Sequence, residues 1–157
     1  MRVGLTEEID MKMGRWIVLS LAAMVCTGAG AEPPDAPPME VFKSPQCGCC
    51  GKWVEHLRRN GFRVETHDVA DVGAVRSRLG MSAEFAACHT ARIEDYLVEG
   101  HVPAADIRRL LNDRPKALGL AVPGMPPGSP GMEGPSPVPY DTLLIGGDGF
   151  RAVFARH

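Results

Sequence analysis

The sequence predicts one α/β domain: a mixed sheet flanked by helices, with a Gly/Pro-rich loop and a C-terminal hairpin. Three observations predict it. Apolar residues switch between strand-like and helix-like spacing, in the order strand, helix, strand, helix, hairpin, helix, loop, hairpin. The 157 residues suffice for one hydrophobic core but not for two large lobes. At 45% apolar and 23% charged, the composition is globular and excludes a disordered chain. Aromatic residues are only 6%, so the core must be mainly aliphatic. A formal net charge of −2 and a pI near 6.2 leave no electrostatic footprint for nucleic acid.

The first segment reads as a leader. Lys12 and Arg15 form a basic region ahead of Trp16–Cys26, a largely apolar run of 11 residues. A bilayer span needs about 20 apolar residues, so this run is too short. Ala29-Gly30-Ala31 then supplies an A-x-A cleavage signature. Residues 1–31 are expected to be a secretory signal peptide, with Met11 and Met13 as alternative starts, because the acidic stretch before them is foreign to such leaders. Cys26 is disfavoured as a lipid anchor, since Val25 stands where a small residue is needed. The mature chain, residues 32–157, keeps four of the five cysteines, all five histidines and a net charge of −2. It has no membrane-spanning segment and is expected outside the cytoplasm, where disulfides are permitted.

Each element then follows from its residues. Residues 32–38 hold four prolines and read as an extended tether. Met39 opens the domain, 39–157, with a short strand to Lys43. Residues 51–60 read as a helix with Trp53, Val54 and Leu57 on its apolar face, Arg58 and Arg59 in the last turn and Gly61 beyond the end. Residues 62–69 alternate, with Phe62, Val64 and Thr66 on one face. Asp71 is placed to cap a second helix carrying Val72, Val75 and Leu79, and Gly80 to stop it. Residues 88–102 form two extended segments around Glu94-Asp95. Pro103 starts a helix with Ile107, Leu110 and Leu111 on one side, and Pro115 ends it. Across residues 119–139, 12 of 21 residues are Gly or Pro, which predicts neither regular helix nor central strand. The end is a strand, a Gly-rich turn at 146–149 and a returning strand. A strand leading into cysteines at a helix start is the layout of thioredoxin-like domains.

Cys47-Gly48-Cys49-Cys50 concentrates the chemistry, with Cys88 as a distant fourth thiol. A helix N-terminus favours anions and so stabilises thiolates. Three readings compete. Four cysteines could be two disulfide staples, although a mature chain of 126 residues has little need of them and staples are usually spread along a chain. Cys47 and Cys50, spaced C-x-x-C, could form a thiol–disulfide oxidoreductase pair, although Cys49 between them would scramble it by exchange. The third reading is a metal site. Crowded thiolates are soft ligands that suit Cu(I), and bridging sulfurs suit a polynuclear arrangement better than one tetrahedral zinc.

Histidines and methionines are weaker candidates. His101, at a strand-to-helix junction, reads equally as a ligand or as a hydrogen-bonding residue at the helix start. His89 should point away from Cys88 across the strand. His56 and His67 fall on polar faces and are expected to be solvated; His157 is terminal and carries no signal. Met125 and Met132 read first as loop anchors filling core gaps, and second as thioether ligands for Cu(I).

Several stretches together carry a resemblance. Cys47-Gly48-Cys49-Cys50-Gly51-Lys52-Trp53, Ala87-Cys88-His89-Thr90, Val98-Glu99-Gly100-His101-Val102-Pro103, Pro123-Gly124-Met125-Pro126 and Gly128-Ser129-Pro130-Gly131-Met132-Glu133 resemble the CopG-type periplasmic copper-resistance proteins. The resemblance runs from Met39 to Phe154. It implies a thioredoxin-like fold, periplasmic copper binding by Cys47, Cys49, Cys50 and Cys88, and a role in copper tolerance beside copper-efflux and copper-oxidase components. Cycling between Cu(I) and Cu(II) would make such a protein an oxidoreductase in a loose sense.

Overall fold

The computed structural model describes residues 38–157. The leader, and the tether apart from Pro38, lie outside the described residues. Seven strands form one sheet in the order β2-β1-β3-β4-β5-β6-β7. They are β1 (Met39–Lys43), β2 (Val64–Asp68), β3 (His89–Ile93), β4 (Tyr96–Gly100), β5 (Gly119–Val122), β6 (Asp141–Ile145) and β7 (Arg151–Arg156). Three helices, α1 (Gly48–Arg59), α2 (Val72–Leu79) and α3 (Ala104–Asp113), connect them. β1 pairs parallel with β2 and β4 with β5; every other pairing is antiparallel, so the sheet is mixed as expected.

Alternation along the strands divides the core in two. Val41, Ala91, Val98, Leu120 and Val122 face α1 and α3, where they pack with Trp53, Leu57, Ile107 and Leu110. Leu97, Ala121 and Ile145 face the other way, against Met81, Phe85 and Leu79 near the end of α2. The helix ends behave as their residues dictate. Asp71 accepts a hydrogen bond from the Ala74 N–H at 2.9 Å, and Gly80 closes α2 in the left-handed conformation. At the end of α1, the Phe62 N–H donates to Leu57 O and the Gly61 N–H to Arg58 O, the paired bonds of a Schellman motif.

Four expectations need correction. The first helix starts at Gly48 rather than residue 51, so Cys49 and Cys50 lie inside its first turn. Residues 119–122 are not loop but β5, an interior strand of the sheet. Averaged with the Gly/Pro run that follows, the apolar Leu120-Ala121-Val122 was hidden. Gly119 itself is required there, because a Cβ would lie 1.8 Å from Leu97 O. His56 is half-buried rather than solvated, and its Nε2 accepts the Ala104 N–H at 3.2 Å. It thereby caps α3, whose N-cap residue Pro103 has no side-chain acceptor to offer. His67 stacks on Phe42 with ring centroids 5.0 Å apart, because β2 is an edge strand with one neighbour to lean on.

On the α2 face lies a buried ion pair. Arg76 Nε donates to Glu99 Oε1 at 2.8 Å, and Glu99 is fully buried. The same carboxylate accepts the Ala87 N–H at 2.8 Å and the Thr90 hydroxyl at 2.6 Å, while Arg76 Nη2 donates to Ala87 O. Burial pushes the Glu99 carboxyl above its ordinary range against the pull of these donors. Removing one partner leaves the other charge buried and alone. Arg76→Met should therefore lower the unfolding free energy by about 3–5 kcal/mol, measured by urea titration. A loss below about 1 kcal/mol, the level of an exposed pair, would refute the assignment.

Candidate metal centre

β1 ends at Lys43, and the chain turns through Ser44-Pro45-Gln46 to reach Cys47, the N-cap of α1. Neither a capping side chain nor an acidic residue occupies the first turn of α1. Its leading N–H groups are therefore left to whatever the sulfurs hold, and the local field favours thiolate. Cys88 arrives from a different segment, immediately before β3, where Ala87 is held by Glu99 and Arg76.

The Sγ atoms of Cys47, Cys49, Cys50 and Cys88 all lie within 4.8 Å of one another. Cys47 and Cys50 are joined by a disulfide, and Cys49 and Cys88 are free thiols. Cys49 Sγ stands 3.4 Å from Cys47 Sγ, and the Cys50 sulfur is 3.7 Å from Cys88 O. Burial raises the Cys88 thiol pKa above its ordinary value, with the neighbouring Cys49 and Glu99 adding to the effect. Of the four, Cys50 is the buried one and the others are half-buried. In reduced form such a group offers four soft ligands to a metal.

The Gly/Pro loop roofs this end of the molecule. Gly131, at φ 87°, lies against the first turns of α1, where a Cβ would come within 2.8 Å of Trp53 N and 2.9 Å of Cys49 O. Gly124 N–H donates to Ala86 O at 3.3 Å, tying the loop to the segment before Cys88. Between these anchors Met125 is 45% exposed, with Sδ 2.7 Å from Cys88 Sγ and 4.0 Å from Cys49 Sγ. It fills no core gap. Met132 is half-buried and closes the loop through its backbone, its N–H donating to Ser129 O and its carbonyl accepting from Gly128.

Two of the histidines pack together beside Trp53 of α1. His89 and His101 are both fully buried, with ring centroids 5.0 Å apart, and His89 lies 4.2 Å from the Trp53 ring. His89 Nε2 donates to Gly100 O at 2.9 Å, and His101 Nδ1 donates to Pro130 O at 2.8 Å. His89 Nδ1 and His101 Nε2 have no hydrogen-bond partner among the described residues. Neither ring joins the group of sulfurs within 4.8 Å. Arg76 and Glu99 escaped the sequence reading, although a charged pair inside apolar helix and strand patterns was the available signal. His157 also has a role: its Nε2 lies 2.9 Å from Asp106 Oδ2 and its ring stacks on Tyr140.

Comparison with known proteins supplies two kinds of likeness. Residues 85–132 match the family described as "Protein of unknown function, DUF411". A solved structure titled "Copper resistance protein copG- Form 1" is 44% identical, with a TM-score of 0.73, over 78% of this chain and 98% of that one. A second, "Copper resistance protein copG- Form 2", is 45% identical, with the same TM-score, over 77% and 99%. No curated protein matches the chain.

Acid should destabilise this layer. Burial lowers the pKa of His56, His89 and His101 below 6.5, His89 to about 3. A histidine held neutral in the fold contributes stability that is fully present above its unfolded pKa and is lost as pH falls through its folded one. The histidine contribution to urea resistance should thus be constant above about pH 6.5 and decline below it, continuing toward pH 3. His89→Phe should flatten the lower part of the decline. A decline unchanged in that variant would show that other groups cause it.

Proposed function

The chain belongs to the CopG copper resistance proteins, and from that premise we propose that it is a periplasmic Cu(I)-binding protein of copper tolerance. One observation carries the reading: four cysteine sulfurs from two separate chain segments converge within 4.8 Å at an uncapped helix start. Reduced, Cys47, Cys49, Cys50 and Cys88 hold Cu(I) as a thiolate site containing more than one ion. Thiolate softness supplies the preference for Cu(I), and the crowding supplies bridges between ions. The β2-β1-β3-β4 order, with the cysteine helix following β1, supports a thioredoxin-like core.

The site also supports redox work. Two Cu(II) ions take one electron each from the Cys47 and Cys50 thiolates, giving two Cu(I) and the disulfide. A dithiol reductant returns two electrons and two protons to reopen it. Residues 1–31 act as the export signal, 32–38 as a tether and 39–157 as the copper domain, which serves copper-efflux or copper-oxidase components. Among the described residues, no helix is long and apolar enough to cross a membrane.

A second reading rests on the disulfide itself. Cys47–Cys50 at a helix N-terminus is the arrangement of a thiol–disulfide oxidoreductase that needs no metal. Insulin reduction by metal-free protein separates the two. Strong turnover that needs only Cys47 and Cys50 favours this second reading.

Anaerobic loading of the reduced protein should give more than one Cu(I) per chain by elemental analysis. X-ray absorption should show sulfur ligation and a copper–copper distance. In the Cys47→Ser, Cys50→Ser double variant, the copper–copper signal and the additional ions should disappear. An unchanged copper count in that variant would overturn the four-thiolate site.

A further inference from the structure

We propose that the disulfide form of this chain keeps a smaller copper site of its own, in which Cys49, Cys88 and the thioether of Met125 bind one Cu(I). The inference rests on the copper reading above and adds a ligand, a stoichiometry and a redox control to it. Closing Cys47–Cys50 withdraws two of the four cysteine sulfurs from coordination. It leaves Cys49 and Cys88 free, and Met125 Sδ is beside both, at 4.0 Å and 2.7 Å.

Three sulfurs on one ion with bonds of about 2.3 Å stand about 4 Å apart if the ion is trigonal. The Cys49–Met125 separation of 4.0 Å already meets that spacing. Cys49 and Cys88 lie within the 4.8 Å of the cysteine group. Cys88 and Met125 need to open by about 1.3 Å, and methionine, unbranched with three rotatable bonds, is the side chain suited to such an adjustment. The donor set is one thioether and two thiols, which selects a soft monovalent ion over zinc, whose structural sites want four ligands.

Met125 occupies a built position rather than a chance one. Gly124 N–H donates to Ala86 O on one side of it, and Pro126 O accepts from both the N–H and the hydroxyl of Ser129 on the other. The backbone is thus pinned on both flanks of a residue whose side chain is 45% exposed. Hydrophobic packing does not account for an exposed methionine so held. Proximity to the two free thiols does.

The disulfide then sets copper capacity. Its closure reduces the site to one ion held by three sulfurs, the outermost of them exposed. A dithiol donor, supplying two electrons and two protons, restores the larger thiolate site.

The test uses full-length protein with the Cys47–Cys50 disulfide confirmed by peptide mapping. Cu(I) is titrated anaerobically in competition with bicinchoninate. One Cu(I) per chain is expected, with three sulfur neighbours by X-ray absorption. Met125→Leu should weaken this binding at least roughly tenfold, the lower end of what losing even an outer partner of a metal ligand costs. Val138→Ala, an exposed change in the same loop, should leave the affinity where it was. A disulfide form that binds no Cu(I), or binds it equally well with Met125→Leu, overturns the inference. Reduced protein separates the two proposals. If it takes up no copper, the four-thiolate reading fails; if it loads and the disulfide form does not, only the smaller site fails.

Discussion

The buried Glu99 carboxylate is the interaction on which the sulfur end of the molecule depends. It accepts from Arg76, the Ala87 N–H and the Thr90 hydroxyl, and so ties α2, the segment before Cys88 and β3 to one residue of β4. A buried ion pair is weak evidence for net stability, because desolvation offsets most of the attraction. Its value lies in geometry. A hydrophobic pair of similar volume would fill the space but would not fix the Ala87 backbone, and Cys88 follows Ala87 directly. The raised Glu99 pKa records what burial costs the charged form, and the three donors are what keep the residue useful there.

The second constraint is the histidine layer. His89 and His101 donate to backbone carbonyls of Gly100 and Pro130, which fixes their tautomers and turns one bare nitrogen of each into the core. Both pKa values are lowered by burial, so both rings stay neutral at ordinary pH. These two buried rings consequently add no imidazolium charge to the core. The start of α1, where no capping side chain competes for the N–H groups, favours the thiolate form there, and the Arg76 guanidinium favours it at Cys88.

Most of the fold was legible because its signals are local. The Asp71 cap, the Gly80 stop, the β3–β4 hairpin and the terminal hairpin each depend on a few neighbouring residues. What escaped was set by distant partners. β5 is a four-residue strand whose only warning was Leu120-Ala121-Val122 at the edge of a Gly/Pro run. The roles of His56 and His67 depend on the α3 N-terminus and on Phe42, which no pattern on their own elements announces. The four cysteines were recognisable from type and spacing. Their pairing was not, because C-x-x-C and C-x-C-C spacings permit either a disulfide or a ligand set. Met125 was legible as soft but not as placed. Its position follows from loop bonds to Ala86 and Ser129.

Charge explains why, under the proposed copper reading, one disulfide would govern the whole site. Each thiolate carries one negative charge and each Cu(I) one positive charge, so a thiolate site accepts copper until the two nearly cancel. Oxidising Cys47 and Cys50 deletes two negative charges at once, in surroundings where burial already disfavours uncompensated charge. Copper ions in excess of the remaining thiolates then lose their counter-charge. The neutral Met125 thioether changes this balance in one respect only: it adds a ligand without adding charge. With Cys49 and Cys88 both ionised, a single Cu(I) leaves one negative charge. Cys49 lies in the first turn of α1, where the N-terminal amides favour such a residue of charge. Coordination and electrostatics would therefore select the same small occupancy for the proposed site of the oxidised state, with α1 beginning at Gly48 without a cap.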